Sequence, residues 1–532
     1  MSNVSNLPKG WCCTSLEKIA SWGSGGTPSR NIEKYFQGTI PWVKTGELES
    51  KYIRETEEHI SEEALKNSSA KIFPKGSVGI AMYGATIGKL SIWGIDASTN
   101  QACAIGIPTE AINNEFLYYY LLSERQNLIK AGKGGAQPNL SQGIIKEWSI
   151  DLPPLPEQHR IVAKIEELFS ELDKGIENLK TACSQLKVYR QALLKHAFEG
   201  KLTAQWRAER NATSNQPVIP AQAGIQPFND MDSRLRGNDE SLETAAALLK
   251  RIQQERAQRY QQQLADWQAN GGSKPKAPKP LPPLTAAELA ELPELPEGWG
   301  HIRIGNLLDV VSGNTPKGIE ITKGTEIPYY RVSDMNRAGN EVSMNSSATY
   351  LSDKEAADIG LNIFPVGTII FPKRGGAIAT NKKRRLAHRS CFDLNLMGLT
   401  NLPNSLSAGY LWLWMLALDL ASISDGSNVP QINNRNVEPL AFPICSPDEQ
   451  ALIVELADSR LSVCDQLDKT ITTSLQQAEA LRQSILKKAF SGQLVPQDPH
   501  DEPASALLAR IKAERAEVAA KPLKKKSGKE TP

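Results

Sequence analysis

The chain has 532 residues, and its 61 basic residues nearly balance 59 acidic ones. This length exceeds what one hydrophobic core can organise and predicts two to four domains. The balanced charge argues against a protein that coats nucleic acid unselectively, although it permits local basic patches.

The first element is a mixed α/β domain that we predict for residues 1–152. A short β-rich run at 77–83 is typical of its strands. A helical pattern at 116–129 ends at the glycines that begin with Gly132. The proline-rich stretch 151–156 then breaks the chain, because the residue before a proline is pushed out of the helical region.

A long helix is predicted next, within residues 153–202, beginning at Pro156 or Glu157 and ending at Gly200. At about 43 residues it would be roughly 60 Å long. Apolar residues recur at steps of three and four and form one continuous stripe. A helix this long outreaches a small domain, so we expect it to pair with another helix; packing on its own domain is the alternative. The stripe comprises Ile161, Ile165, Leu168, Leu172, Ile176, Leu179, Cys183, Leu186, Leu193 and Ala197.

Residues 203–297 read as a linker. The stretch 211–239 lacks periodicity, and 218–238 resembles the translation of a dispersed genomic repeat, which we interpret as a tolerated insertion. A helical pattern at 241–257 resembles 501–517, and the stretch 274–296 carries seven prolines and predicts a stiff spacer.

The second half repeats the first. The motif Leu-Pro-x-Gly-Trp at 7–11 returns at 295–299, and Ser-Gly-x-Thr-Pro at 24–28 returns at 312–316, both at an offset of 288 residues. A period this long indicates a duplicated domain. We therefore predict a second domain at 298–445, a second long helix within 446–494, and a short amphipathic helix with a basic tail at 495–532. The second stripe comprises Ile453, Leu456, Cys464, Leu467, Ile471, Leu475, Ala478, Leu481, Ile485 and Ala489.

Enzyme signatures are missing from the sequence. No H-E-x-x-H, G-x-S-x-G or G-x-G-x-x-G motif occurs, and the six histidines are dispersed. We predict no catalytic residues and no metal site. The seven cysteines form no C-x-x-C pair, no secretion signal is visible, and the most apolar stretch, 410–421, is too short to span a bilayer. These features predict a cytoplasmic protein without a membrane segment.

The strongest charge feature is the segment 373–389, which holds seven basic residues and no acidic one. Such a cluster supplies salt-dependent affinity for phosphates; a purely solvated loop is the alternative. Two arginines, Arg374 and Arg384, suit guanine, and the lysines suit phosphates. The corresponding stretch of the first copy, 83–89, carries only Lys89. Framework positions are thus repeated while the contact loops differ, as two domains that read different sequences would require.

The order of the repeated motifs resembles the specificity subunit of type I restriction-modification systems, over nearly the whole chain. The first-copy motifs are Ile40–Leu48, Gly84–Lys89, Asn100-Gln101, Gln137–Ser141 and Leu155–Gln158; those of the second copy are Ile327–Met335, Val429–Asn433 and Ser446–Gln450. In the second copy 377–382 replaces Thr-Ile-Gly-Lys, and Leu394-Asn395-Leu396 replaces Asn-Gln.

This resemblance implies two similar α+β target-recognition domains, joined by two long helices that form an antiparallel coiled coil. Each domain would read one half of a split, asymmetric site on double-stranded DNA. Two methyltransferase subunits would dock on the helices, and restriction subunits would complete the complex. Any S-adenosylmethionine, ATP and Mg²⁺ would enter with those partners rather than with this chain. The candidate DNA contacts are Lys44, Thr45, Tyr83, Lys89, Arg331, Lys373, Arg374, Lys382, Lys383, Arg384 and Arg385.

Two other interpretations stay open. A nuclease or methylase with a diverged site would act on DNA unaided, and a coiled-coil adaptor would touch no DNA at all.

Overall fold

The computed structural model describes residues 7–132, 139–214, 243–271, 274–275, 277–315, 326–401 and 406–520. Most of the predicted insertion, the basic tail from residue 521, and the Gln137-Pro138 pair lie outside these residues. The chain divides into two compact units, Met1–Ala182 with Thr470–Pro532, and Cys183–Lys469. Within the described ranges, no helix combines the length and the apolar character needed to cross a membrane.

The first unit contains three sheets. The largest has five strands in the order β2-β9-β6-β7-β4, a second has the order β5-β3-β8, and β1 pairs with β10. The strands are β1 Cys12–Ser15, β2 Ala20–Ser24, β3 Ile40–Val43, β4 Tyr52–Ile53, β5 His59–Ile60, β6 Val78–Ala81, β7 Leu90–Trp93, β8 Ser98–Thr99, β9 Cys103–Pro108 and β10 Ser149–Leu152.

The second unit repeats this topology strand for strand. Its sheets have the orders β12-β19-β16-β17-β14, β15-β13-β18 and β11-β20. Its strands are β11 Gly300–Arg303, β12 Asp309–Ser312, β13 Ile327–Tyr330, β14 Ser343–Met344, β15 Thr349–Leu351, β16 Ile369–Pro372, β17 Arg384–Leu386, β18 Cys391–Phe392, β19 Leu396–Thr400 and β20 Ala441–Ile444. The duplication seen in the sequence is therefore a duplication of fold.

Thirteen α-helices fall in the described residues. They are α1 Leu16–Ile19, α2 Glu62–Lys66, α3 Asn114–Ala131, α4 Gln142–Glu147, α5 Leu155–Phe198, α6 Ala204–Ser214, α7 Ala245–Asn270, α8 Ala286–Ala290, α9 Asp353–Asp358, α10 Ala408–Ala417, α11 Asn434–Val437, α12 Pro447–Phe490 and α13 Ala504–Ala520. Helices α5 and α12 have 44 residues each, close to the predicted length.

The repeated Ser-Gly-x-Thr-Pro motif is explained by a close approach of backbones. A Cβ atom on Gly25 would lie 2.0 Å from the carbonyl oxygen of Thr99, and one on Gly313 would lie 2.1 Å from that of Asp393. Real Cβ atoms do not come this near to backbone, so only glycine fits at either position. In each domain the motif therefore closes the chain against the end of a strand, β8 or β18.

The two long helices run antiparallel within each unit. In the first unit Arg482 on α12 pairs with Asp173 on α5, and its guanidinium lies 4.6 Å from the centre of the Phe169 ring. In the second unit Arg190 on α5 pairs with Asp465 on α12 at 2.6 Å. Within the first unit, Glu157 and Asp173 meet Gln497 and Arg482 in that order. Within the second unit, Cys183 and Arg190 meet Asp468 and Asp465 in that order, so in each unit residue numbers rise along α5 as they fall along α12 and the segment after it.

Helix α5 packs in both of the ways that the sequence left open, on the other long helix along its middle and on the domain cores at its ends. The middle of the α5 stripe is half-buried along α12, whereas the ends join the domain cores. Ile161 and Ile165 lie in the core of the first domain with Ile485 and Leu486. The expectation that Leu467 and Leu481 are buried is wrong, because they are 48% and 51% exposed. The apolar stripe is wider than the line along which two helices touch, so these two residues fall at its outer edge.

The repeated Leu-Pro-x-Gly-Trp motif ties each domain to both long helices. The indole of Trp11 donates to the Glu157 carboxylate (3.1 Å) at the start of α5, and Trp299 donates to Glu449 (2.8 Å) at the start of α12. The glycine that ends each helix, Gly200 or Gly492, has a positive φ angle, as a C-cap commonly does.

The proline of the same motif covers that terminal glycine. A Cβ atom on Gly492 would lie 2.4 Å from Cγ of Pro8, and one on Gly200 would lie 2.4 Å from Cγ of Pro296. The first motif thus packs on the end of the second helix, and the second motif on the end of the first. This exchange explains why each unit takes one segment of each long helix.

Candidate nucleic-acid interface

The basic segment of the second domain follows a fully buried strand. All four residues of β16 are buried, and the chain leaves the core at Lys373. A tight turn over Gly375–Thr380 ends at Asn381, whose φ of 51° is in the left-handed region, and β17 then begins at Arg384. Asparagine tolerates this conformation better than most residues. The turn therefore presents its side chains from a fixed strand end, as binding residues commonly are presented.

A second loop, residues 418–432, braces this turn at both ends. Near one end, the Asn381 side chain accepts a hydrogen bond from the amide of Leu420 (3.0 Å). Near the other, the Gly375 amide donates to the Pro430 carbonyl (2.8 Å), and the Ile432 amide donates to the Lys373 carbonyl (2.9 Å). The two loops therefore form one double-loop tip, which we define as residues 373–382 and 424–432.

Two predicted contacts carry exposed guanidinium groups. Arg374 lies in the double-loop tip, and Arg331 follows β13. Neither has an ion pair among the described residues. A cation with no internal carboxylate partner is available to a phosphate or to a base edge. Lys382 is half-buried and donates to the Asn336 side chain.

Lys383 lies inside the domain. It is 4% exposed, and its ammonium group donates to the Leu418 carbonyl and to Asn381 Oδ1 (2.8 Å). Burial lowers its pKa to about 8. A phosphate contact would require this side chain to leave its site, so its geometry fits a brace between the two loops rather than a contact.

Three more predicted contacts are partly enclosed. Lys373 donates to Ser312 Oγ (3.0 Å), and burial lowers its pKa. Burial likewise lowers the pKa of Arg384, whose guanidinium donates to the Lys383 carbonyl (2.8 Å). The guanidinium of Arg385 lies 4.9 Å from the Trp412 ring centre. The basic segment therefore contains both exposed cations and cations that are enclosed by the domain. Composition alone does not distinguish the two kinds.

Lys383 makes the stability of the second domain depend on pH. Its pKa falls from the ordinary 10.5 to about 8, so between these values the unfolded chain binds more protons than the folded one. Stability should therefore rise as the pH increases from 8 to 10.5. The Lys383→Met variant should lose this rise, as measured by urea denaturation across that pH range. An unchanged pH profile in the variant would contradict the assignment.

The predicted DNA contacts of the first domain lie beside more carboxylates than those of the second. Lys44 forms ion pairs with Glu57 (2.9 Å) and Glu58 (3.3 Å), which raise its pKa, and Lys89 pairs with Glu49 at 3.1 Å. The half-buried Thr45 opens the turn after β3, whereas Tyr83 packs partly against the domain core. Lys44, Thr45 and Tyr83 follow the ends of β3 and β6, which correspond to β13 and β16 in the other copy, and Lys89 directly precedes β7.

The predicted DNA contacts did not include residues 424–431, although the motif Val429–Asn433 was among those that carried the resemblance. Asp425 Oδ1 accepts from the Ser427 amide (3.2 Å), the Ser427 hydroxyl (2.8 Å) and the Gln431 amide (3.0 Å), and these bonds lower its pKa. The available signal was the aligned proline, Pro138 in one copy and Pro430 in the other. Within the described part of the chain, no cluster of three or more metal-ligating side chains occurs.

Comparisons with known proteins agree with this architecture. The sequence profile of the "Type I restriction modification DNA specificity domain" matches residues 8–181 and 296–477. The "Type I restriction enzyme MjaIX specificity subunit" of Methanocaldococcus jannaschii is 32% identical over 202 residues, covering 37% of this chain and 46% of that protein. The "Type I restriction enzyme EcoKI specificity subunit" of Escherichia coli K12 is 21% identical over 97% of both chains. In the first of these matches, the aligned region spans about half of the relative's length.

A solved structure described under "Structural basis underlying complex assembly and conformational transition of the type I R-M system" shares the fold. Its TM-score is 0.62 at 16% sequence identity, over 92% of this chain and 99% of that one. The profile matches both copies and covers well over half of the chain. The chain therefore belongs to the family of type I restriction-modification DNA specificity proteins and carries its DNA specificity domain twice.

Proposed function

We propose that this chain is the non-catalytic specificity subunit of a type I restriction-modification complex, and that each unit reads one half of a bipartite site on double-stranded DNA. The observation that supports this most directly is the duplicated fold with unlike contact loops. The turn after β6 carries a single lysine that is paired with a glutamate, whereas the turn after β16 presents Arg374 without a carboxylate partner in the described residues.

The chemistry of methylation and cleavage enters with partner subunits in this proposal. Two methyltransferase subunits bring S-adenosylmethionine, and restriction subunits bring ATP and Mg²⁺, to a cytoplasmic complex on DNA. This chain supplies the DNA sequence preference. The proposal draws on family membership and on the absence of an enzyme motif from the sequence.

Exchange of one recognition domain tests the proposal. Residues 300–443 would be replaced by those of a relative with a different target, and sites would be mapped by adenine methylation in cells that supply the methyltransferase. We expect one half-site to change and the other to stay. A change in both halves, or in neither, would contradict the assignment of one half-site to each domain.

A salt titration and an activity assay test the alternatives. Affinity should fall with increasing salt if Lys and Arg side chains neutralise phosphates. An adaptor that does not touch DNA would show no salt-dependent affinity. DNA cleavage or methylation by the purified chain alone would establish a self-sufficient enzyme and refute the proposal.

Removing the guanidinium of Arg374 should weaken binding by about ten- to a hundredfold, as expected for loss of a bidentate arginine–guanine contact of roughly 1–3 kcal/mol. Discrimination at one base pair should relax in Arg374→Ala. A matched control is Arg389→Ala, which removes an exposed arginine that pairs with Asp353 at 3.3 Å. If both variants lost the same amount of DNA-binding affinity, measured by fluorescence anisotropy, Arg374 would have only a general electrostatic role.

A further inference from the structure

An apolar side chain stands at the surface of the double-loop tip. Val429 is 57% exposed and directly precedes Pro430. In the first copy the residue aligned before the shared proline is a glutamine, so this position changes its chemistry between the repeats. A single exposed valine is ordinary on a protein surface, so its surroundings decide whether it can serve as a binding contact.

The setting of Val429 is rigid. The single proton of the Ser427 hydroxyl is shared between the Val429 carbonyl oxygen and Asp425 Oδ1, each 2.8 Å away, and the carbonyl of Pro430 accepts a hydrogen bond from the Gly375 amide (2.8 Å). The carboxylate of Asp425 also accepts hydrogen bonds from the Ser427 and Gln431 amides, which close the loop. Hydrogen bonds before and after Val429 therefore fix the loop that carries it, which limits the entropy that a contact would cost.

Val429 lies two residues before a backbone partner of the exposed arginine. An isolated antiparallel bridge joins Arg374 to Gln431, two residues beyond Val429. The tip thus combines a guanidinium and an aliphatic group on two bonded loops. In the major groove, guanine offers two acceptors that suit arginine, whereas thymine offers a 5-methyl group that suits an apolar side chain.

We propose that Val429 is a specificity-determining residue that contacts the 5-methyl group of a thymine in the second half-site. This inference rests on the proposed function, because it requires the second domain to read DNA. The valine has no side-chain hydrogen-bonding group, so it distinguishes the thymine by its methyl group. Arg374 contacts a neighbouring base pair from the same tip.

Uracil substitution tests the proposal directly, because deoxyuridine lacks only the thymine methyl group. Each thymine of the mapped site would be replaced in turn, and the dissociation constant measured with the assembled methyltransferase complex. At one position in the second half-site, wild-type affinity should fall about fourfold, the value of one buried methyl group. Val429→Ala should bind the thymine and uracil duplexes equally at that position.

A matched control is Val366→Ala, which alters a 62% exposed valine before β16 in the same domain. It should keep the uracil sensitivity. The inference is overturned if no uracil position in the second half-site matters, or if Val429→Ala retains the sensitivity. Failure of the proposed function is distinguishable, since the 300–443 exchange would then change both half-sites or neither.

Discussion

Replacing Gly313 with alanine should destabilise the second recognition domain by about 3 kcal/mol or more, at the upper end of the cost of overpacking. The new Cβ atom would lie 2.1 Å from the Asp393 carbonyl oxygen and 2.2 Å from that of Phe392. Both obstacles are backbone atoms next to a fully buried strand, so neither can rotate away. A side-chain neighbour would yield at a lower cost.

Gly376→Ala is the matched control, because a Cβ atom there would meet nothing within 4 Å. It should change stability by no more than about 0.5 kcal/mol. Hydrogen exchange read by mass spectrometry would localise the effect, since a chain with two units need not unfold in one step. Peptides from β13 and β19 should exchange faster in Gly313→Ala, and those from β6 should not. Equal stability of the two variants would mean that the backbone contact is easily relaxed.

The two tryptophan–glutamate contacts should respond oppositely to the same substitution. Glu449 is 3% exposed and accepts hydrogen bonds from Trp299, from Thr203 (2.6 Å) and from the guanidinium of Arg207. Glu449→Gln removes the charge that compensates a mostly buried arginine, so we expect a loss of about 3 kcal/mol. Denaturation of the second unit by urea would measure it.

Among the residues that the structure describes, no such cation hydrogen-bonds to Glu157. It is 1% exposed, Gln497 donates to it at 3.3 Å, and its Oε2 has no partner within that part of the chain. Desolvation by burial raises its pKa. Glu157→Gln should therefore be neutral or stabilising at pH 7, whereas the same change at Glu449 is costly.

The pH dependence of stability tests whether Glu157 is destabilised as a carboxylate. A carboxyl group with a raised folded-state pKa contributes stability that is complete below its ordinary pKa of 4.5 and is lost as the pH rises through the folded value. The advantage of Glu157→Gln over the wild type should thus be largest at neutral pH and should vanish in acid. An advantage that grew in acid would show that Glu157 is stabilised as a carboxylate.

Helical stripes and the long-period repeat predicted the fold well, the stripes because helix periodicity is a local rule and the repeat because a duplicated sequence repeats its fold. The 44-residue lengths of α5 and α12 follow from apolar spacing, a proline-rich start and a glycine end. The exchange of helix ends between copies was not predicted. It depends on contacts such as Pro8 with Gly492, which lie nearly the whole chain apart and leave no periodic trace.

The candidate site was less predictable for a related reason. Charge counts place Lys383 and Arg374 in one cluster, but one is buried and the other exposed. Which side of the turn each residue occupies depends on Asn381 and on a loop some 40 residues later in the chain. Sequence alone identified the basic segment. Which of its side chains are exposed could be seen only from the structure, because loop 418–432 packs against the turn.

The placement of the tryptophan–glutamate contacts has a consequence for how such proteins acquire new targets. Trp299, Glu449 and Pro296 all lie outside 300–443, so a genetic crossover at those boundaries would leave the anchoring of the domain intact. The imported segment would nevertheless bring its own α10, whose Tyr410 packs on Phe198 and whose preceding Ser407 amide donates to Gln450 (3.1 Å). Recombination can therefore change the double-loop tip without affecting this anchoring. It is constrained at α10, where the imported segment must carry an aromatic residue that packs on Phe198 as Tyr410 does.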